Sequence, residues 1–153
     1  MDIYKRLEEL GIELPKAPAK GGVYSPVKEF GENLVYVSGC GPNIGEQTFV
    51  GKVGKDLTLE EGQQAAQNCV LNVLAVLHEN LGDLNRIKNM VKILTLVSSD
   101  NEFYMQPQVA NFGTQLLVDI FGEKIGAPAR SAIGVNVLPG NISVESELLL
   151  EIL

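Results

Sequence analysis

TLEEGQQAAQNCVLNVLAVLHENLGDLNRIKNMVKILTLV, residues 58–97, reads as a long helix followed closely by a strand. Thr58 and Glu61 have the spacing of a capping box. Ala66, Cys69, Val70, Val73, Leu74 and Leu77 then recur at the i, i+3, i+4 and i+7 positions of one helix face. The pattern predicts a helix from about residue 59 to 81, with Gly82 where a C-cap belongs. In the strand, the run Val91-Lys92-Ile93-Leu94-Thr95-Leu96-Val97 is apolar on both faces apart from Lys92, the composition of a strand covered on both sides.

Toward the C-terminus, Asp100 can cap the next element. Val109, Phe112, Leu116, Leu117, Ile120 and Phe121 mark a second helix ending near Gly122, with Pro107 either in its first turn or separating an irregular 103–106 segment from the helix proper. Arg130 to Leu138 and Ser143 to Ile152 read as two strands joined by Pro139-Gly140-Asn141, and a hairpin is the simplest arrangement for them. In the other direction, Leu34-Val35-Tyr36-Val37-Ser38-Gly39 is a buried strand by its β-branched and aromatic content. Val23 to Val27 opens a first strand that Pro26 restricts to an edge. Phe49-Val50 is a short additional strand in the Gly-rich segment between Gly41 and Gly54. Ile3, Leu7 and Leu10 form one face of a short helix that stops at Gly11, and PKAPAKGG, residues 15–22, is a linker by composition. The expected organisation is an N-terminal helix appendage over 1–14 and one domain over 15–153. Its class is α+β, with two helices on one face of a mixed sheet.

Composition narrows the chemistry. The chain has 153 residues, 45% apolar and 20% charged, enough for a core that needs no staples. Twelve basic against nineteen acidic residues leave a net charge of −7, whose field repels phosphate backbones and argues against nucleic acid as a partner. Two Cys and one His are too few for a zinc site, so no metal is expected. His78, the one residue that could serve a Ser-His-Asp triad, falls within the helical pattern. Two isolated Cys without a secretory signal suit a reducing cytoplasm, and no apolar run approaches the ~20 residues that span a bilayer.

Polar residues at strand ends are the candidates for a site. On the strand after residue 129, Arg130, Ala132, Gly134 and Asn136 share a face, so one Arg looks across small side chains. Its planar fork suits a bidentate grip on a carboxylate; an edge-strand salt bridge is the competing reading. Glu145 and Glu147 share a face of the last strand, either as solvated residues or with one of them as a general base. In a hairpin, Arg130 and Glu145 lie roughly 15 to 20 Å apart at ~3.3 Å per residue, so a shared site requires an adjacent subunit. Tyr24 and the turn Ser38-Gly39-Cys40-Gly41-Pro42 are further polar candidates, and Cys40 reads as an ordinary thiol with no neighbouring base.

Several of these pieces occur together in one known family. Gly22-Val23-Tyr24-Ser25-Pro26, Leu34-Val35-Tyr36-Val37-Ser38-Gly39, Asp56-Leu57-Thr58-Leu59-Glu60-Glu61-Gly62 with Ala65-Ala66, and above all Pro128-Ala129-Arg130-Ser131 followed by Leu138-Pro139 and Val144-Glu145-Ser146-Glu147, resemble the RidA/YjgF family over about residues 20 to 153. The subgroup with an extra N-terminal helix is the better likeness. The resemblance implies a chorismate-mutase-like α+β fold, a homotrimer with ligand clefts between subunits, and no cofactor. It implies hydrolysis of a small 2-imino or enamine carboxylic acid to a 2-keto acid and ammonia. By the same resemblance Arg130 grips the carboxylate, Glu145 positions water, and Tyr24, Ser38 and Gly39 contact the ligand. Cys40 stands where the family usually has Gln, Ala132 where it has Cys, and Gly134 where it has a polar residue. The family's Asn on the second helix maps to Asn111 or to Gly113. A non-catalytic binder of a small carboxylic metabolite is the alternative function. Ribonuclease activity, also associated with the family, is opposed by the −7 charge and the lack of a His pair.

Overall fold

Residues 1–153 are described by a computed structural model, and alternation along its last strand defines the two sides of the sheet. In β5 (Val144–Ile152), Val144, Ser146, Leu148, Leu150 and Ile152 are buried, while Glu145, Glu147, Leu149 and Glu151 between them are only half-buried. The first set faces the helices, and the second faces away. The other strands are β1 (Val27–Phe30), β2 (Leu34–Cys40), β3 (Ile87–Ser98) and β4 (Ala129–Val135). They form one mixed sheet in the order β1-β2-β5-β3-β4, with only β3 and β4 parallel among neighbours.

Both long helices, α2 (Leu59–Leu81) and α3 (Gln106–Phe121), lie on the same face and pack on each other. The capping box at Thr58 and Glu61 is formed, and Gly82 closes α2 in the left-handed conformation at φ 78°. Pro107 sits in the first turn of α3, where its missing N–H costs nothing. Leu74, Leu77, Leu117, Ile120, Leu148 and Leu150 form the centre of the core between these helices and the sheet. A short α1 (Ile3–Glu9), capped by Asp2, adds Ile3 and Leu7 to that core. One turn, α4 (Glu123–Gly126), links α3 to β4.

The expected hairpin between the last two strands does not form. Helix α3 returns the chain so that β4 starts parallel to β3, and residues 136–143 then cross the end of β3 to place β5 on its other side. The arrangement matches composition to position. β5 carries Leu148-Leu149-Leu150 and pairs along both edges, whereas β4, with Ala, Ser and Gly, occupies the sheet edge. Two smaller expectations also change. The first strand begins at Val27 rather than Val23, and Phe49-Val50 contributes only an isolated bridge from Val50 to Ile142. Nor is β3 covered on both sides within the chain: Ile93, Thr95 and Val97 enter the core, but Lys92, Leu94 and Leu96 lie on the face that no element covers.

Candidate active site

Arg130 stands on β4 in register with Ile93, a core residue, so its side chain emerges on the helix face at the edge of the sheet. There Nη1 donates to Asn111 Oδ1 at 2.7 Å and to Thr114 Oγ1 at 3.3 Å. These partners are three residues apart on α3, the spacing that places two side chains on one helix face. Both are neutral. The ion pairs of the chain are Arg6–Glu9 and Lys88–Glu151, so the half-buried guanidinium has no carboxylate at ion-pair distance. The salt-bridge reading therefore fails, and Nε and Nη2 retain free donors.

The same face settles which α3 residue meets Arg130. Asn111 does. Gly113 turns toward α2, where a Cβ would lie 3.0 Å from the Ala66 carbonyl oxygen and from Val70 Cγ2. Ala132, opposite Thr95, is half-buried two residues along β4 from Arg130. Gln106 lies over Gly134, its Nε2 2.8 Å from where a Cβ would be, so the missing side chain there leaves no open space.

A second group of candidates meets at the end of β2. The register between β2 and β5 slips between Val37 and Cys40, a bulge that displaces Ser38 and Gly39. Ser38 donates through its N–H to the Pro26 carbonyl and through Oγ to the Ser25 carbonyl, which ties the 24–26 segment to the strand. The Tyr24 hydroxyl accepts from the Gly21 N–H at 2.8 Å and keeps its own proton to donate. Tyr24, Ser38, Gly39 and Cys40 together line a cavity of about 370 Å³. Its far wall is held by Asn72 of α2, whose Nδ2 donates to the carbonyls of Gly41 and Asn43. Asn72 is 3% exposed, one of two buried amides, with Asn68, on the largely apolar face of α2.

Glu145 reaches this corner from the uncovered side of the sheet. A Cβ on Gly39 would lie 2.5 Å from Glu145 Oε1, so only glycine there lets the carboxylate lie over the β2 backbone. Burial, and secondly the charge of Glu147, push the Glu145 carboxyl above its ordinary range. Glu147 accepts a 2.6 Å hydrogen bond from the Tyr36 hydroxyl, and that bond raises the tyrosine as well. Burial pushes the Cys40 thiol up to about 12, with a smaller contribution from Glu145, so at neutral pH it is a protonated wall group rather than a nucleophile.

The two groups do not meet within one chain. Arg130 aligns with Leu148 across β3, and Glu145 aligns with Ile133. They are two strands and three residues apart, roughly 14 Å from ordinary sheet spacings, and on opposite faces. The separation expected from a hairpin thus survives in a different topology. Thr114 and Asn72 were not among the sequence candidates. Thr114 can be found from its three-residue spacing to Asn111, and Asn72 from an i, i+4 pair with Asn68 on an apolar helix face.

Residues 4–152 match the family model described as "YjgF/chorismate mutase-like, putative endoribonuclease". The chain belongs to the YjgF family. Protein TCP17 of Trypanosoma cruzi is 40% identical over 147 residues, covering 95% of this chain and 91% of that protein. The crystal structure of Atu1372 from Agrobacterium tumefaciens, a protein of unknown function, superposes with a TM-score of 0.87 at 38% identity, covering 98% and 91% of the two chains. A crystal structure from Shewanella oneidensis MR-1 described as that of a "putative endoribonuclease" superposes with a TM-score of 0.93 at 29% identity, covering 99% and 100%. The mixed five-stranded sheet with helices on one face and a short N-terminal helix is the YjgF fold that the sequence resemblance implies. No helix of this YjgF chain is long and apolar enough to cross a membrane.

Proposed function

We propose that the protein hydrolyses a small 2-imino or enamine carboxylic acid to a 2-keto acid and ammonia, in clefts that pair the Arg130 wall of one subunit with the Tyr24–Ser38–Gly39–Glu145 wall of the next. The observation that carries this reading is the Arg130 guanidinium, oriented by two neutral partners and left without a carboxylate. A half-buried cation in that state is a receptor for an anion, and its free donors fit a carboxylate in bidentate fashion. Small oligomers are known for the family, which supports a site shared between copies.

The chemistry is supplied by the opposite wall. The Glu145 carboxylate takes a proton from a water molecule as the water oxygen attacks the imine carbon. The same carboxyl gives that proton to nitrogen, then takes the proton of the new hydroxyl and passes it to nitrogen as well, so that the C–N bond breaks as the carbonyl forms and ammonia leaves. A carboxyl pushed above its ordinary range suits both roles near neutral pH. Ser38 already donates its hydroxyl proton to Ser25, so toward the ligand it is an acceptor for the imine N–H. Tyr24 retains a donor for the forming oxygen. No cofactor is required for such a step.

The test is ammonia release from imino acids generated in situ by an amino-acid oxidase. The wild type should accelerate release. Arg130→Ala should lower carboxylate affinity at least tenfold, since charge-assisted hydrogen bonds contribute about 1.5 to 3 kcal/mol and about 1.4 kcal/mol is a decade. Arg130→Lys should fall between them, and the fold should be retained. Binding of 2-keto acids without any acceleration would instead favour a binding protein.

A further inference from the structure

The cavity beside Tyr24 has one charged residue in its lining, Lys20, and no acidic one. Lys20 belongs to the strap before β1, which grips Tyr24 at both ends. Lys20 Nζ donates to the Tyr24 carbonyl at 3.2 Å, and the next residue, Gly21, donates its N–H to the Tyr24 hydroxyl at 2.8 Å. The ammonium makes no ion pair, although the chain carries a net charge of −7. Two of its three N–H groups remain free. Arg130, likewise without a carboxylate partner, is the cation that the proposed shared cleft places on its other wall.

We propose that Lys20 is a specificity-determining residue, the second cation of a cleft that selects dicarboxylic over monocarboxylic 2-imino acids. The proposal rests on the reading of that cleft as an imino-acid site shared between subunits. Arg130 is occupied by the carboxylate next to the imine carbon. A substrate with a second carboxylate on its side chain then meets Lys20 beside Tyr24, whereas a monocarboxylic substrate leaves the ammonium unmatched and places an apolar tail against it. The cavity volume of about 370 Å³ is within the range of small-metabolite sites.

Calorimetry with 2-oxoglutarate and 2-oxobutyrate as product-like probes tests this. The wild type should bind the dicarboxylate about tenfold more tightly, as expected of one charge-assisted contact. Lys20→Gln should abolish that preference while leaving 2-oxobutyrate affinity within about twofold, and Lys20→Arg should retain the preference. Equal affinities in the wild type, or equal weakening of both probes by Lys20→Gln, would overturn the proposal. In that case an Arg130→Ala variant that still loses both probes shows the cleft reading intact and Lys20 wrongly assigned. Failure of the wild type to bind either probe overturns both.

Discussion

A carboxyl group that lies over the bare backbone of Gly39, half-buried and beside Glu147, ionises less readily than one in water, and this affects both turnover and stability. Turnover should rise with pH as Glu145 loses its proton, with the acid limb above the ordinary 4.5 of a glutamate. Glu147→Gln removes the like charge, the smaller of the two causes, and should move that limb part of the way down. For stability the sign is the reverse of the usual salt-bridged carboxylate. Glu145 binds its proton more tightly folded than unfolded, so stability declines as pH rises from about 4.5 through the raised value and stays reduced above it. Glu145→Gln should therefore melt higher than the wild type at pH 7, with the gap closing as pH falls to the ordinary carboxylate range, while turnover is lost. Calorimetric melts across pH alongside ammonia-release profiles read both effects; a Glu145→Gln variant that melts lower at pH 7 would contradict the assignment. The motif Val144-Glu145-Ser146-Glu147 points to these residues in the sequence, but the cause of the shift does not, because it depends on Gly39, distant in the chain and adjacent only across the folded sheet.

Periodicity identifies elements more readily than it identifies their neighbours. The 3.6-residue pattern and capping box of α2 correspond to the observed helix, and the alternation in β5 separates its core and open faces correctly. Pairing is different, because Pro139-Gly140-Asn141 has the chemistry of a turn whether the chain doubles back beside β4 or crosses β3 to reach its far side. What decides between them is the demand of β5 for two partners and of β3 for a neighbour on each edge, a property of the whole sheet. The Asn111 and Gly113 ambiguity has the same origin: two residues on one helix point about 200° apart, and only packing against α2 says which faces the sheet edge. Substitutions there should give opposite outcomes. Gly113→Ala pushes a methyl against the Ala66 backbone, which cannot move aside alone, so overpacking of about 1–3 kcal/mol should outweigh a helix-propensity gain of about 1 kcal/mol. Its melting temperature should fall. Asn111→Ala removes an exposed side chain and should hold stability within about 0.5 kcal/mol while weakening carboxylate binding, because Arg130 loses its 2.7 Å partner. Thermal melts and calorimetry with a 2-keto acid separate the two.

The uncovered face of the sheet brings residue and element together at the scale of the molecule. Tyr36 and Ile133 are 40% and 47% exposed there, beside half-buried Leu94, Leu96 and Leu149, an apolar surface with no element of the chain over it. The same chain holds its cation and its carboxylate on opposite faces, so neither half of the site is complete alone. Closed association of three copies would cover the apolar face and give every Arg130 wall a neighbouring Glu145 wall, one cleft per interface. Sedimentation should then give a mass near three chains of 16.5 kDa. Subunit mixing supplies the sharper test. Arg130→Ala and Glu145→Gln variants should each be inactive, yet when co-expressed in equal amounts they should regain about one quarter of the wild-type clefts, those in which an intact Arg130 meets an intact Glu145 from another copy. If both residues served one ligand within a single chain, no mixture could restore activity. Recovery of ammonia release in the mixed protein, and none when the separately purified variants are combined without exchange, would place the site between subunits. A mixed assembly that stays inactive would place it elsewhere.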